Sequence, residues 1–235
     1  MKILVVGGMH GNEPLGIELV KMFRRKQIKN VNAVFANEKA IEKNCRFVNQ
    51  DLNRSFPGNT DSRVYEEKRA SYLLNLCKKY DLVIDFHNTY CPNNDCTFVG
   101  ESANKNLYNI SAYFGLYKII IADYKCINKY ASNCISVEIS LDSKMMNSKV
   151  WYERITKLSK IDVIPFSSGV KKYRFAYRMT IEDRNRLNLT KKNLKAFKPI
   201  GKDLARSMGV ESPAYPIFIR DKFTPYNYGG LLNKF

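Results

Sequence analysis

Short apolar runs alternate with segments of helical length through the first two-thirds of the chain, and this alternation restricts the fold more than any other feature. The strand-sized runs are residues 3–6, 31–36, 82–86, 97–99, 119–122 and 135–139. The helix-length segments are residues 14–26, 38–43, 61–79, 104–114 and 144–158. Strands that alternate with helices of this size predict an α/β fold, with one sheet and helices on both of its faces.

The pattern changes near residue 160, where strand-like runs follow one another with polar turns between them. These runs are residues 170–180, 194–199 and 215–219. Residues 161–235 carry 15 basic and 6 acidic side chains, about half of the formal net charge of +17. We therefore expect a first domain over residues 1–160 and a smaller, β-rich and strongly positive domain over residues 161–235.

The net positive charge favours an anionic partner, and nucleic acid, a membrane surface and a small acidic substrate all fit that description. No apolar run reaches the roughly 20 residues of a membrane helix. The apolar run at residues 3–6 is too short for a signal peptide, so we expect a cytoplasmic location. The six cysteines form no CxxC pair, and we expect reduced thiols, Cys91 and Cys96 included.

Histidine occurs only twice, and each copy stands next to a predicted strand. His10 lies with Glu13 in the glycine-containing turn after residues 3–6, and His87 directly follows residues 82–86. Open α/β sheets place their sites at the carboxyl ends of the strands. Two histidines and one carboxylate with an open fourth position are typical of catalytic zinc. Ordinary hydrogen-bonded polar side chains are the alternative, but the coincidence of both histidines favours one zinc ion per chain.

Two further segments carry polar residues that could bind a substrate or take part in catalysis. The loop over residues 44–60 offers Arg46, Asn53 and Arg54, and an arginine fork supported by an amide can bind a carboxylate. The alternative for this loop is a solvated basic surface. Glu138 lies among apolar neighbours in the strand at residues 135–139. It is either a paired structural acid or a general base beside an attacking water.

Four segments together are similar to the succinylglutamate desuccinylase/aspartoacylase family, a branch of the zinc carboxypeptidase superfamily. They are residues 8–13, 51–58, 85–87 and 137–139, in the order and rough spacing of that family. Residues 197–200 and 215–219 resemble the C-terminal β domain of the family. The resemblance implies an α/β fold with a zinc-carboxypeptidase-like mixed sheet flanked by helices, and a smaller C-terminal β-rich domain that caps the active-site cleft.

The resemblance also implies roles. His10, Glu13 and His87 would hold zinc. Glu138 would be the general base that activates the attacking water, and Arg46 would polarise the amide carbonyl and stabilise the oxyanion. The carboxylate of the amino-acid part of the substrate would be bound by Asn53 and Arg54.

The remaining substrate contacts are implied less directly. In the aspartoacylase branch a C-terminal tyrosine closes over the substrate, and Tyr226 is the first candidate here, with Tyr228 next. The same branch has an arginine about ten residues before the base, which reads a side-chain carboxylate. This chain has no arginine there; Lys129 offers a point charge and Tyr124 a hydroxyl, but neither offers a fork. We therefore leave the acyl group and the amino acid open.

These observations predict a zinc-dependent hydrolase that cleaves N-acyl amino acids into a carboxylate and a free amino acid. A zinc carboxypeptidase acting on peptides shares the same ligands and is the nearest alternative. A basic nucleic-acid-binding protein is the alternative from another class, although no RNA-binding motif is present. An inactive relative that retains the fold is disfavoured by the complete residue set. We expect a small anionic substrate and no membrane partner, and we leave a homodimer open.

Overall fold

The computed structural model describes residues 1–190, 193–219 and 227–235. The strands of this part of the chain are β1 (Ile3–Gly7), β2 (Val31–Phe35), β3 (Leu82–Thr89), β4 (Cys96–Gly100), β5 (Lys118–Ala122), β6 (Cys134–Ser140), β7 (Lys171–Thr180), β8 (Ala214–Ile217) and β9 (Asn227–Lys234). They form one sheet in the order β2-β1-β3-β6-β4-β5-β7-β9-β8. The pairs from β2 to β6 are parallel, whereas β4 runs antiparallel to β6. The predicted mixed sheet is therefore confirmed.

The helices cover both faces of this sheet, as the sequence predicted. They are α1 (Pro14–Lys26), α2 (Glu38–Glu42), α3 (Tyr65–Cys77), α4 (Asn106–Tyr113), α5 (Ile127–Tyr130), α6 (Ser148–Leu158), α7 (Ile181–Arg186) and α8 (Lys202–Ser207), with a 3₁₀ turn at Leu52–Arg54. Among the described residues, no helix has both the length and the apolar character needed to cross a membrane.

Alternate residues of β1 pack into two different cores, because successive side chains of a strand point to opposite faces. Ile3 and Val5 belong to the core that also holds buried residues of α1, α4 and α6. Leu4 and Val6 belong to the core that holds buried residues of α3. A strand buried on both faces is continuously apolar, which is why this run was visible in the sequence.

The same alternation places polar residues of β3 and β6 on the α3 face. Ile84 and Phe86 of β3 pack with α1 and α6, while Val83 packs with α3. Asp85 and His87 follow Val83 at a spacing of two and therefore share its face. The parallel pairing of β3 with β6 aligns His87 with Glu138. Ser136 in turn lies opposite Asp85. Four polar side chains therefore meet on one face, namely Asp85, His87, Ser136 and Glu138.

The strands after residue 160 are hydrogen-bonded into the same sheet. β7 pairs in parallel with β5, and β9 lies between β7 and β8 with antiparallel pairing on both sides. A third core, which includes Met179, Leu194 and Leu231, packs beneath these strands. The division into two domains at residue 160 stays a prediction.

Two local predictions were wrong for identifiable reasons. Residues 194–199 form turns instead of a strand, because Phe197 has a left-handed φ of +56° that interrupts an extended backbone. The helix expected from Asp61 begins at Tyr65, because the side chains of Asn59 and Ser62 accept hydrogen bonds from backbone N–H groups and stabilise turns instead. The strand β9 was not predicted, since its two glycines weaken the strand pattern.

Candidate metal centre and cavity

Backbone packing positions the turn that carries His10 and Glu13. The chain leaves β1 through Gly8, whose φ of +72° lies in the left-handed region. A Cβ atom on Gly11 would lie 2.0 Å from the carbonyl carbon of Ala40, so only glycine lets this turn approach α2 so closely. Glu13 is the residue that precedes α1, and Pro14 occupies the first turn of that helix.

The two histidines converge on the carboxylate of Glu13. His10 Nδ1 lies 2.6 Å from Glu13 Oε1, and His87 Nδ1 lies 3.0 Å from Glu13 Oε2. All three side chains are buried, and their potential ligand atoms lie within 4.8 Å of one another. His87 was predicted just after its strand; it lies inside β3, because β3 continues to pair with β6 as far as Thr89. The sequence prediction that these residues come together agrees with this arrangement.

The other nitrogen of each imidazole contacts a second carboxylate. His10 Nε2 lies 3.1 Å from Asp51 Oδ1, and His87 Nε2 lies 2.8 Å from Asp85 Oδ2. When each Nε2–H donates to its carboxylate, the Nδ1 lone pair is left free to bind a cation. Two imidazole nitrogens and one carboxylate form a donor set that suits zinc, so the residues present fit this ion.

The charges of the cluster shift several ionisation equilibria. Burial alone would raise the pKa of Glu13, but His10 and His87 more than offset burial and lower that pKa. Burial alone would lower the pKa of His87, but Asp85 and Glu13 outweigh it and raise that pKa well above its ordinary value. Burial would also raise the pKa of Asp51, yet its hydrogen bond to His10 and the nearby charges lower it. Glu13 and Asp51 therefore stay ionised beside the histidines.

Arg46 and Glu138 flank the three potential ligands. Arg46 donates from one Nη to Asp51 Oδ2 at 3.1 Å, and its other Nη lies 3.7 Å from Glu13 Oε1. Glu138 is buried in β6, with His87 as its partner on β3. Both residues line a cavity of about 370 Å³ together with His10, Glu13 and His87. A carboxylate and a guanidinium beside a metal centre can exchange a proton and stabilise negative charge, respectively.

The remaining predicted residues separate into those that line the cavity and those that do not. Asn53, Arg54 and Tyr124 line it, and the guanidinium carbon of Arg54 lies 4.7 Å from the ring centre of Tyr124. Lys129 is exposed, and its ammonium donates to the backbone carbonyl of Asp123 at 3.1 Å instead of lining the cavity.

Two C-terminal tyrosines, Tyr226 and Tyr228, were the candidates for closing over the substrate. Tyr226 lies outside the described residues. Tyr228 is buried, and its hydroxyl donates to the backbone carbonyl of Leu189 at 2.9 Å. The only role that this contact supports for Tyr228 is structural.

Two carboxylates that contact the histidines received no role in the sequence interpretation. Asp85 precedes His87 by two residues in a strand, and this spacing was sufficient to predict that both side chains share a face. Asp51 is the first residue of the matching segment 51–58, but nothing in its local pattern predicts contact with His10, which is far away in the chain. The aromatic residues Phe98, Phe175 and Phe218 also line the cavity and were not predicted.

The fold and the site together define an α/β protein with a candidate metal centre at the carboxyl edge of its parallel strands. Residues 1–138 match the family model described as the succinylglutamate desuccinylase/aspartoacylase catalytic domain. The chain therefore belongs to this family.

Curated relatives match parts of the chain. A probable aspartoacylase from Prochlorococcus marinus subsp. pastoris is 37% identical over 99 residues, which are 37% of this chain and 33% of the relative. Aspartoacylase from Mus musculus is 33% identical over 123 residues, which are 45% of this chain and 39% of the relative. The chain thus matches between a third and a half of the length of the curated relatives it resembles.

Solved structures show the fold over nearly the whole chain. The succinylglutamate desuccinylase from Chromobacterium violaceum superposes with a TM-score of 0.74 at 16% identity and covers 99% of this chain and 84% of its own. Murine aminoacylase 3 superposes with a TM-score of 0.72 at 20% identity and covers 100% of this chain and 95% of its own. At these identities the likeness concerns the fold alone.

Proposed function

We propose that the protein is a zinc-dependent deacylase that hydrolyses the amide bond of N-acyl amino acids, releasing a carboxylate and a free amino acid. The observation that carries this proposal is the buried group His10, Glu13 and His87, with Glu138 aligned beside His87 on the same cavity. Family membership supports the reaction type, since the curated relatives include proteins named aspartoacylase.

Glu138 is assigned the proton transfers. Its position in β6 next to His87 places a carboxylate at the cavity, where it can accept a proton from the attacking water. The same carboxyl group then passes the proton to the leaving amine, which allows the amide C–N bond to break. Zinc, when bound by the three ligands, supplies Lewis-acid polarisation of the amide carbonyl.

Arg46 is assigned the developing negative charge. Asp51 holds its guanidinium by a hydrogen bond of 3.1 Å, so the donors are oriented before substrate arrives. Oriented cationic donors stabilise the oxyanion of an acyl-transfer reaction more than they stabilise the neutral carbonyl. We therefore assign Arg46 to stabilisation of the transition state.

Asn53 and Arg54 are assigned the carboxylate of the amino-acid part. Both line the cavity, and the backbone carbonyl of Lys125 accepts a hydrogen bond from Arg54 at 3.3 Å, which limits its motion. The side-chain oxygen of Asn53 accepts from the backbone N–H of Ile127 at 3.4 Å, leaving the amide NH₂ for a ligand. A guanidinium with an adjacent amide suits a carboxylate.

The test uses Glu138→Gln, which keeps the shape of the side chain but removes the base. We expect zinc content and melting temperature to stay at wild-type values, while turnover of a panel of N-acetyl and N-succinyl amino acids falls by about 10²–10⁴-fold. Glu153→Gln is the matched control, because Glu153 is exposed on α6. Comparable activity of Glu138→Gln and wild type would show that the base is assigned to the wrong residue.

Short peptides in the same panel test the carboxypeptidase alternative. A cavity of about 370 Å³ with aromatic residues from β7 at its wall suits a small substrate better than a peptide. Preferential cleavage of peptides would therefore replace the deacylase assignment. The nucleic-acid alternative and a homodimer stay open, and a cytoplasmic location stays a prediction.

A further inference from the structure

One wall of the cavity is aromatic. Phe98, Tyr124, Phe175 and Phe218 all line it. Phe98 and Phe218 stack with ring centres 5.9 Å apart and an interplanar angle of 6°, while Tyr124 and Phe175 meet edge to face at 5.9 Å. The two ring pairs belong to one apolar cluster, and a surface packed in this way loses little entropy when a ligand binds to it.

Phe218 is held in place by its backbone. Its φ of +52° is left-handed, a conformation that non-glycine residues adopt uncommonly and that often marks a functional position. The backbone N–H of Phe218 donates to Asn94 Oδ1 at 2.8 Å, and the N–H of Ile219 contacts Cys91 Sγ at 3.2 Å. These two contacts attach the backbone just after β8 to the loop before β4, and the ring of Phe218 lines the cavity.

The polar side chains of α5 offer the cavity no free donor. Asn128 lines the cavity, but its amide NH₂ donates to the backbone carbonyls of Phe98 and Cys134, each at 3.2 Å. Its oxygen accepts from Ser136 Oγ at 2.9 Å. Both N–H groups of Asn128 are thus used, and Lys129 lies outside the cavity. A substrate carboxylate on this side of the cavity would therefore find no guanidinium in α5 to bind it in a bidentate manner.

The aromatic wall continues from the proposed carboxylate-binding residue. The guanidinium of Arg54 stacks on Tyr124 at 4.7 Å, and Tyr124 contacts Phe175 in turn. In an N-acyl amino acid, the side chain is attached to the same carbon as the carboxylate. A substrate whose carboxylate is held by Arg54 therefore has its side chain within reach of this wall.

We propose that the substrates are N-acyl amino acids with an aromatic or large apolar side chain, which packs against Phe98, Phe175 and Phe218. This inference rests on the proposed deacylase function and adds its substrate class. Arg178 from β7 also lines the cavity, but its side chain is exposed, so water screens its charge and we expect a side-chain carboxylate to gain less there than a ring packed on the aromatic wall.

The experiment compares kcat/KM of the zinc-loaded protein for N-acetylphenylalanine, N-acetylleucine, N-acetylalanine, N-acetylaspartate and N-succinylglutamate. We expect N-acetylphenylalanine to exceed N-acetylaspartate by at least about tenfold. Phe218→Ala should lower kcat/KM for N-acetylphenylalanine by about 30-fold and change that for N-acetylalanine less than about threefold. The selective loss separates a substrate contact from a general structural defect.

Phe197→Ala is the matched control. Phe197 has the same residue type and a similar left-handed φ of +56°, and it packs edge to face on Tyr173 without lining the cavity. Its replacement should leave the ratio of the two substrates unchanged. If Phe218→Ala does not fold, Phe175→Leu provides the same comparison from β7. In addition, calorimetry can compare the affinity of the wild-type protein for free L-phenylalanine and for L-aspartate, which tests the wall without hydrolysis.

The outcomes distinguish this inference from the function on which it rests. Hydrolysis of N-acyl amino acids with N-acetylaspartate or N-succinylglutamate preferred would overturn the substrate class and leave the deacylase assignment intact. A preference that follows the length of the acyl group and ignores the side chain would also overturn it. No hydrolysis of any N-acyl amino acid would overturn the proposed function, and the substrate class with it.

Discussion

Replacing Asp51 by asparagine tests whether this carboxylate organises the metal centre and Arg46 together. Asp51 Oδ1 lies 3.1 Å from His10 Nε2 and accepts from the backbone N–H of Asn53 at 2.9 Å. Asp51 Oδ2 accepts from Arg46 at 3.1 Å. A carboxylate accepts on both oxygens, whereas an amide has one oxygen and one NH₂ group. In either orientation of the asparagine, the NH₂ group therefore faces a donor.

The structure sets the size of the expected effect. If the NH₂ group faces Arg46, the guanidinium loses its anchor; if it faces His10, it opposes the tautomer that leaves Nδ1 free for a metal. Either way one charge-assisted hydrogen bond is lost, which costs about 2 kcal/mol, or about 30-fold in an equilibrium constant. The side chain of Asp51 is 19% exposed, so water compensates only a small part of this loss. Loss of such a contact typically lowers metal affinity or activity by about 10–100-fold.

The measurements are zinc affinity, by competition with a chelator, and kcat/KM for the best N-acyl amino acid. We expect the zinc Kd to rise or kcat to fall by about 30-fold, depending on the orientation of the amide. Asp61→Asn is the matched control, because Asp61 is an exposed aspartate on the same stretch of chain. Zinc affinity and kcat that both stay within twofold of wild type in Asp51→Asn would refute the organising role of this carboxylate.

Two further perturbations address the ligands and the turn that carries them. Zinc at 100 times its Kd should stabilise the wild-type protein by about 2.7 kcal/mol and so raise its melting temperature. His87→Ala should abolish this rise. An unchanged rise in the variant would remove His87 from the ligand set. Gly11→Ala should lower the free energy of unfolding by about 2 kcal/mol or more, because its Cβ would overlap the backbone of Ala40; a wild-type midpoint in urea would contradict this packing argument.

Local periodicity determined the layers of the fold. The apolar runs that became β1 and β3 are buried on both faces, so each was recognisable from residues a few positions apart in the chain. The same rule extends to the site. Asp85 and His87 share a face because they are two residues apart, and the glycines after β1 mark the turn that carries His10. The scarcity of histidine made the predicted metal ligands almost unambiguous.

Contacts between distant segments lay beyond this local pattern. The hydrogen bond of His10 with Asp51 joins residues 41 positions apart, and that of Phe218 with Asn94 joins residues 124 positions apart. Lys129 and Asn128 are adjacent in the sequence, yet one faces solvent and the other has its amide buried. Helix geometry points neighbouring side chains in different directions, and the packing of α5 against β4 and β6 decides which of the two is buried.

The sequence by itself thus determined the α/β class, the family and the candidate ligands His10, Glu13 and His87, since each depends on short spacings or on a few matched segments. The tertiary structure alone decided which carboxylates orient the histidines and which aromatic rings form the cavity wall. The physical reason is that side-chain direction within a strand follows from a local period of two, whereas the register and closure that bring β7 and β8 to the cavity depend on packing across the whole sheet.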